Sequence, residues 1–217
     1  MTTVFADRKA AGKALAALLE SYAGRSDVVV LGLPRGGVPV AAQVAQELAV
    51  PLDVVIVRKL GVPANPELAM GAIASGGARY LNDEVLGMAR IPPEDVERVE
   101  AAERAELERR ERLYRGDRPP LRLHGRTVVL VDDGIATGAS MRAAARAMRA
   151  AGAAWIVVAV PVAPAQAAKR FRGVADEFVC VETPESFYAV GQFYERFEPT
   201  ADEEVRALLA QAPGVDA

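Results

Sequence analysis

Apolar residues fall along this chain in two patterns. Uninterrupted runs rich in Val, Ile and Leu occupy Asp27–Leu33, Leu52–Val57, Thr127–Val131, Trp155–Val160 and Glu177–Val181, with a weaker candidate at Gly71–Ser75. A run without polar alternation suits a strand covered on both faces. Between these runs, Gly37–Leu48, Ala139–Ala151 and Ala165–Phe171 carry apolar residues at helical spacing, as do Leu15, Leu18, Leu19 and Tyr22 near the start. The alternation predicts an α/β fold built on a mostly parallel, doubly wound sheet, with ligands bound outside the carboxyl ends of the strands.

One stretch departs from that rhythm. Pro92 to Tyr114 opens with a Pro pair and acidic residues, which predicts a long inserted helix over residues 92–115. Glu94/Arg98, Glu100/Arg104, Glu106/Arg110, Glu108/Arg112 and Glu111/Arg115 are spaced to form i,i+4 pairs. Its narrow apolar stripe (Val96, Val99, Ala102, Leu107) suits a solvated helix lying across the sheet; a contact in a homodimer is the other reading. Arg118-Pro119-Pro120 then marks a turn. Thr200-x-x-Glu203 has the form of a capping box opening a short final helix.

Composition narrows the class. The 217 residues suit a single domain over 1–217, 51% hydrophobic and 25% charged. A net charge of -3 gives no general attraction to nucleic acid or to an anionic membrane. Cys180 is the only cysteine, which excludes an internal disulfide and favours an intracellular home. The apolar run Ala153–Ala165 contains Pro161 and Pro164 and is too short to span a bilayer. Asp7, Arg8 and Lys9 precede a helical pattern and not a signal peptide. A cytoplasmic protein is expected. His124 lacks the cysteine partners of a zinc site and reads as a surface residue; Cys180 reads as a core residue.

The chemistry concentrates in Val-Val-Leu-Val-Asp-Asp-Gly-Ile-Ala-Thr-Gly-Ala-Ser, residues 128–140. Apolar residues form a strand, Asp132 and Asp133 stand at its carboxyl end, and Gly134, Ile135, Ala136, Thr137 and Gly138 turn into a helix near Ala139. A small-residue loop at a helix N-terminus presents N–H groups to an anion, and the Thr137 and Ser140 hydroxyls can join them. Two carboxylates would repel that anion, so they suit hydrogen-bond donors or a cation. A sugar diol a few ångströms from a phosphate satisfies both halves. No Gly-x4-Gly-Lys-Ser/Thr occurs, which excludes a Walker-type loop. An unrelated α/β protein with acids at a strand end, as in receiver domains, is the other reading of these residues.

This stretch resembles the phosphoribosyl pyrophosphate signature of type I phosphoribosyltransferases. The resemblance implies Asp132 and Asp133 on the ribose hydroxyls, with residues 134–140 (Gly134, Ile135, Ala136, Thr137, Gly138, Ala139, Ser140) around the 5′-phosphate. It also makes Gly32-Leu33-Pro34-Arg35-Gly36-Gly37-Val38-Pro39 similar to the family's pyrophosphate loop, with Pro34, Arg35, Gly36 and Gly37 as contacts. A strained or cis peptide is implied there, at Pro34–Arg35 or Arg35–Gly36. Arg58 and Lys59 join the pyrophosphate contacts, and with Arg35 are the candidate catalytic residues. The segment Leu60–Pro66 is expected to be an irregular lid, because Gly61, Pro63 and Pro66 disfavour regular structure. Residues 182–217 would form the family's hood, where Phe187 or Tyr188 stacks on a flat acceptor or else packs the tail onto the sheet. Phe5-x-Asp7-Arg8, Arg58-Lys59-Leu60-Gly61, Glu67-Leu68-Ala69-Met70-Gly71-Ala72 and Tyr188-Ala189-Val190-Gly191 together look like a bacterial group of predicted phosphoribosyltransferases across nearly the whole chain.

The resemblance implies transfer of ribose 5-phosphate from phosphoribosyl pyrophosphate to a nitrogenous acceptor with release of pyrophosphate. Its small-molecule partners are that donor and an unidentified acceptor. Mg²⁺ is the implied cofactor, held by substrate oxygens and water, with no direct protein ligand and contact from Asp132 and Asp133 through water. A non-catalytic phosphoribosyl-ligand-binding regulator and a phosphoribosyl hydrolase remain the alternatives.

Overall fold

The computed structural model describes residues 4–213. In chain order it runs α1 (Arg8–Ala17), β1 (Val28–Gly32), α2 (Gly37–Leu48), β2 (Leu52–Val54), β3 (Val57–Val62), β4 (Asn65–Ala74), β5 (Ala78–Leu81), α3 (Asp83–Met88), α4 (Pro93–Arg115), β6 (Thr127–Val131), α5 (Ala139–Ala150), β7 (Trp155–Val162), β8 (Glu177–Glu182) and α6 (Asp202–Gln211). Five strands form a parallel sheet in the order β2-β1-β6-β7-β8. Three more, β3-β4-β5, form a separate antiparallel sheet, the arm.

The uninterrupted apolar runs do mark the parallel strands. In β1, Val28 and Val30 join a core with α1 and α2, whereas Val29 and Leu31 join one with α5 on the other face. Period-2 alternation thus feeds both layers from a single strand, and every residue of β1 and β6 is buried. The chain leaves β1 through α2 toward β2, and leaves β6 through α5 toward β7. The direction of winding therefore reverses between β1 and β6, where Gly32 pairs with Val131.

Four expectations need correction. The run Leu52–Val57 divides: β2 ends at Val54 and Val57 begins the arm. Leu60–Pro66 is not irregular; β3 and β4 make a hairpin across a turn at Pro63 and Ala64. The register shifts on both sides of Gly61 leave 66–68 outside the pairing, so Pro66 removes no ladder hydrogen bond there. A side chain at Gly61 would lie 2.6 Å from the Pro66 carbonyl oxygen, so glycine permits this hairpin. The helix expected over Ala165–Phe171 is a 3-10 segment, Ala167–Phe171. The capping box does not form either: Ala201 is the N-cap of α6, without a side-chain cap, and Thr200 is buried.

Helix α4 lies along the arm and reaches α6. Val96 and Leu107 are buried and Val99 is half-buried, but Ala102 is exposed. Glu100/Arg104, Glu106/Arg110 and Glu108/Arg112 pair as spaced. Arg98 instead pairs with Asp95, and Arg115 reaches the buried Asp53 at the edge of the sheet with bonds of 3.1 and 3.0 Å. Burying an acid is costly unless it is paired, and Asp53 meets both Arg115 and Arg118. That cluster pins the C-terminal end of α4 to the sheet.

Among the described residues, no helix is long and apolar enough to cross a membrane. His124 is exposed, as expected. Cys180 is half-buried against the second core, where burial pushes its thiol up to about 12.

Candidate functional site

The loops after β1 and β6 meet at the reversal point. Leu33 N–H donates to the Val131 carbonyl at 2.9 Å, which joins the two strand ends. The Pro34–Arg35 peptide is cis, one of the two positions expected. Gly36 and Gly37 then pack directly on the acid pair. A Cβ at Gly36 would overlap Asp133 Oδ2, and one at Gly37 would lie 2.8 Å from Asp132 Cα. These glycines are required by close approach.

Asp132 and Asp133 are half-buried at the carboxyl end of β6. Asp132 Oδ1 accepts from Asp133 N–H at 2.9 Å. Burial and the neighbouring Asp133 charge raise the Asp132 carboxyl well above its usual range. Burial also raises Asp133, but Arg8 opposes it: Nε and Nη2 of Arg8 both lie 2.9 Å from Asp133 Oδ2. Arg8 is itself held by the Glu198 carbonyl at 2.8 Å and by the Phe197 ring, 4.1 Å from its guanidinium carbon. Tyr194 O–H donates to the Asp133 carbonyl at 2.6 Å. The acids are thus braced by both ends of the chain.

Residues 134–140 curl around a concavity of about 140 Å³ lined by Asp132 and by Gly134 through Met141. Gly138 adopts a left-handed conformation, φ 75°, as the N-cap of α5. The first-turn N–H groups of α5 have no intrahelical acceptor. Arg170 Nη1 donates to the Ala136 carbonyl at 3.1 Å and to the Thr137 carbonyl at 3.3 Å. In a planar trans peptide the N–H opposes the carbonyl, so the Thr137 and Gly138 N–H groups point away from Arg170. Thr137 and Ser140 are exposed at the rim.

The other candidates lie apart from this centre. Arg35 is half exposed, with Nη1 3.7 Å from Asp202 Oδ1. Arg58 bonds Glu103 of α4 at 2.6 Å, whereas Lys59 lines a cavity between the arm and α5. Neighbouring strand residues face opposite ways, which separates the two cations. Phe187 stacks on Phe193 with centroids 5.4 Å apart, in the small core where Phe5 pairs with Tyr194. Tyr188 is 90% exposed.

Sequence reasoning gave no role to Arg8 or Arg170. Arg8 stood within a quoted motif, but its position over Asp133 depends on docking of the terminal segments. Among the described residues no three His, Cys, Asp or Glu side chains gather to hold a metal ion. The acid pair offers hard oxygen donors that suit Mg²⁺ through bridging water.

A small-residue loop at a helix N-terminus, an acid pair and a glycine loop packed on that pair thus meet where the winding of the sheet reverses. The family model for the phosphoribosyl transferase domain matches residues 5–198, and the chain belongs to that family. Two curated Mycobacterium tuberculosis proteins, each named "Putative phosphoribosyl transferase", are 51% identical over 209 residues, covering 96% of this chain and 47% of theirs. The chain spans about half the length of these curated relatives. The crystal structure of TT1426 from Thermus thermophilus is similar throughout, with 45% identity, a TM-score of 0.89, and coverage of 98% of this chain and 100% of that one.

Proposed function

We propose that this domain transfers the 5-phosphoribosyl group of phosphoribosyl pyrophosphate to a nitrogenous acceptor. The observation that carries the reading is the packing of Gly36 and Gly37 against Asp132 and Asp133, beside the concavity formed by residues 134–140. A phosphate in the concavity would place the ribose over the acids and the pyrophosphate toward the cis-peptide loop.

The acids orient the ribose by accepting from its hydroxyls, and Arg8 holds the Asp133 carboxylate in place for that contact. A nitrogen on the acceptor attacks C1 while the C1–O bond to pyrophosphate breaks, through an oxocarbenium-like state with inversion. Bound Mg²⁺ would supply neutralisation of the diphosphate charge. Arg35 and Lys59 are the cations that would approach the departing oxygens, Lys59 after movement of the arm. Arg58 would act there only by exchanging its bond to Glu103. The protein's own contribution is positioning and electrostatic stabilisation. Tyr188, exposed at the hood, is the aromatic face available to a flat acceptor, because Phe187 already stacks on Phe193. The domain acts on small molecules in the cytoplasm.

Pyrophosphate release from the donor, measured with and without a panel of purines, pyrimidines and other nitrogen acceptors, tests the proposal. Release that requires an acceptor is expected. Release with none added identifies a hydrolase, and binding without turnover identifies a sensor.

A further inference from the structure

A second cavity, about 390 Å³, opens between the arm, α5 and the segment following β7. Lys59, Arg142, Arg146, Arg170 and Arg172 line it, together with Tyr80. Among the described side chains no carboxylate lines it. Such a concentration of cations is unexpected in a chain of net charge -3. Arg142 and Arg146 are half-buried one turn apart on the same face of α5, where like charges repel. The guanidinium of Arg146 lies 4.9 Å from the Tyr80 ring centroid. Neither arginine bonds a carboxylate among the described residues, although Arg25, Arg79, Arg98, Arg104, Arg109 and Arg196 do so even at exposed positions. Among the described residues, Arg142 and Arg146 therefore bring to this cavity positive charge that no carboxylate offsets.

We propose that this cavity is a binding site for a linear oligophosphate group, separate from the concavity of residues 134–140. Guanidinium forks match pairs of phosphoryl oxygens, and arginines from two elements suit more than one phosphoryl group. A cavity of this size fits a small molecule. The site also touches the phosphoribosyl machinery. Arg170 lines the cavity while bonding the Ala136 and Thr137 carbonyls, and Ala139 lines both concavities. An oligophosphate bound here would therefore sit against the back of the 5′-phosphate loop.

The test is a crossed titration at fixed ionic strength, by calorimetry, using inorganic tripolyphosphate, ATP and citrate as probes. Arg142→Ala with Arg146→Ala removes the helix arginines in favour of a strong helix former, so folding should persist and is checked by thermal melting. Tripolyphosphate should bind the parent and weaken about tenfold or more in this variant, the loss of at least one charge-assisted contact. Arg172→Ala, on a separate exposed segment, should weaken it in the same direction. Gly36→Ala, in the pyrophosphate loop, should leave intact the part of tripolyphosphate binding that the arginine changes remove. ATP binding as tightly as tripolyphosphate shows that the phosphate chain is the recognised part; tighter ATP binding shows that a nucleoside adds to it. Tripolyphosphate affinity that survives the arginine changes, or that citrate matches, overturns the proposal, and so does loss of the arginine-dependent part in Gly36→Ala. Phosphoribosyl pyrophosphate, titrated in parallel, reports separately on the transferase reading: only Gly36→Ala should weaken it.

Discussion

The carboxyl edge of the parallel sheet and the antiparallel arm flank the same site but are held in opposite ways. At the edge, backbone meets backbone: Leu33 bonds Val131, Gly36 and Gly37 leave no space above the acids, and Arg8 and Tyr194 brace Asp133. The arm is fastened by side chains, with Leu60, Met70 and Ile73 buried in the core and polar contacts at its margin. Arg58 bonds Glu103, Arg79 bonds Glu100, and Arg146 lies over Tyr80. Partly exposed ion pairs contribute only about 0–1 kcal/mol each. Under the proposed function, the fixed part would hold the ribose phosphate, which must be placed accurately, and the adjustable part would meet the departing group, whose charge changes during reaction.

The largest effect is expected at the tightest point of the edge. Gly36→Ala would drive a methyl into Asp133 Oδ2, which Arg8 prevents from retreating freely. Misplacing reacting groups by about an ångström can cost about a hundredfold in rate. Turnover should fall at least that far while the melting temperature changes little. Retention of full activity would break the comparison, because the edge would then be as tolerant as the arm.

Next in size are Asp132→Asn and Asp133→Asn, each expected to weaken phosphoribosyl pyrophosphate about tenfold or more in calorimetry through loss of a charge-assisted contact. Asp132→Asn should also stabilise the empty protein. The folded carboxyl has a raised pKa, caused first by burial and then by Asp133. Folding stability is therefore full below the ordinary carboxylate pKa and declines as pH rises toward the raised value. The variant does not titrate at this position. Its advantage in melting temperature should be absent in acid, grow as pH rises, and then level off. A lower melting temperature for the variant at neutral pH would show that Asp132 supports the fold instead of straining it.

How much of this was legible in sequence follows the same division. The edge was readable because its parts are contiguous: Val128–Val131, the acids and the loop to Ser140 lie in one stretch whose order dictates strand, turn and helix. The glycine loop lies in another short stretch, and its cis peptide was implied by the family resemblance of that stretch. The arm was not readable, because its hairpin depends on pairing between β3 and β4 and on Gly61 accepting the Pro66 backbone. Local chemistry at Gly61, Pro63 and Pro66 pointed to a loop, and strand pairing overrode it. Arg8 and Arg170 were hidden for a related reason. Each acts on a residue far away in sequence, Asp133 and Thr137, and only the packed fold brings them together.

Within the arm, Lys59→Ala should lower turnover more than it weakens donor binding, because the charge it would neutralise grows as the bond to pyrophosphate breaks. A change confined to KM would instead assign Lys59 to ground-state binding and place the arm with the edge.

The smallest effect on chemistry is expected from Arg58→Ala, and it is the sharpest test of how the arm is held. Arg58 and Lys59 are adjacent in β3, yet Arg58 bonds α4 while Lys59 lines the cavity beside α5. Arg58 Nη2 lies 2.6 Å from Glu103 Oε2, and both side chains are a little over a quarter exposed. The bond should hold the base of the hairpin without contributing much to global stability. Removing it should leave donor affinity within about fivefold, since a pair of this exposure contributes up to about 1 kcal/mol. Hydrogen exchange at 60–66 should rise, because local opening loses one of its restraints while the core beneath is untouched. Glu103→Gln should reproduce the increase, as it weakens the same bond from the α4 side. In the parent, substrate with Mg²⁺ should slow exchange at 60–66 if the hairpin closes over the site as a unit. Equal protection with and without substrate would leave the arm as a fixed wall, and a large loss of affinity in Arg58→Ala would move Arg58 from fastening the arm to binding the donor.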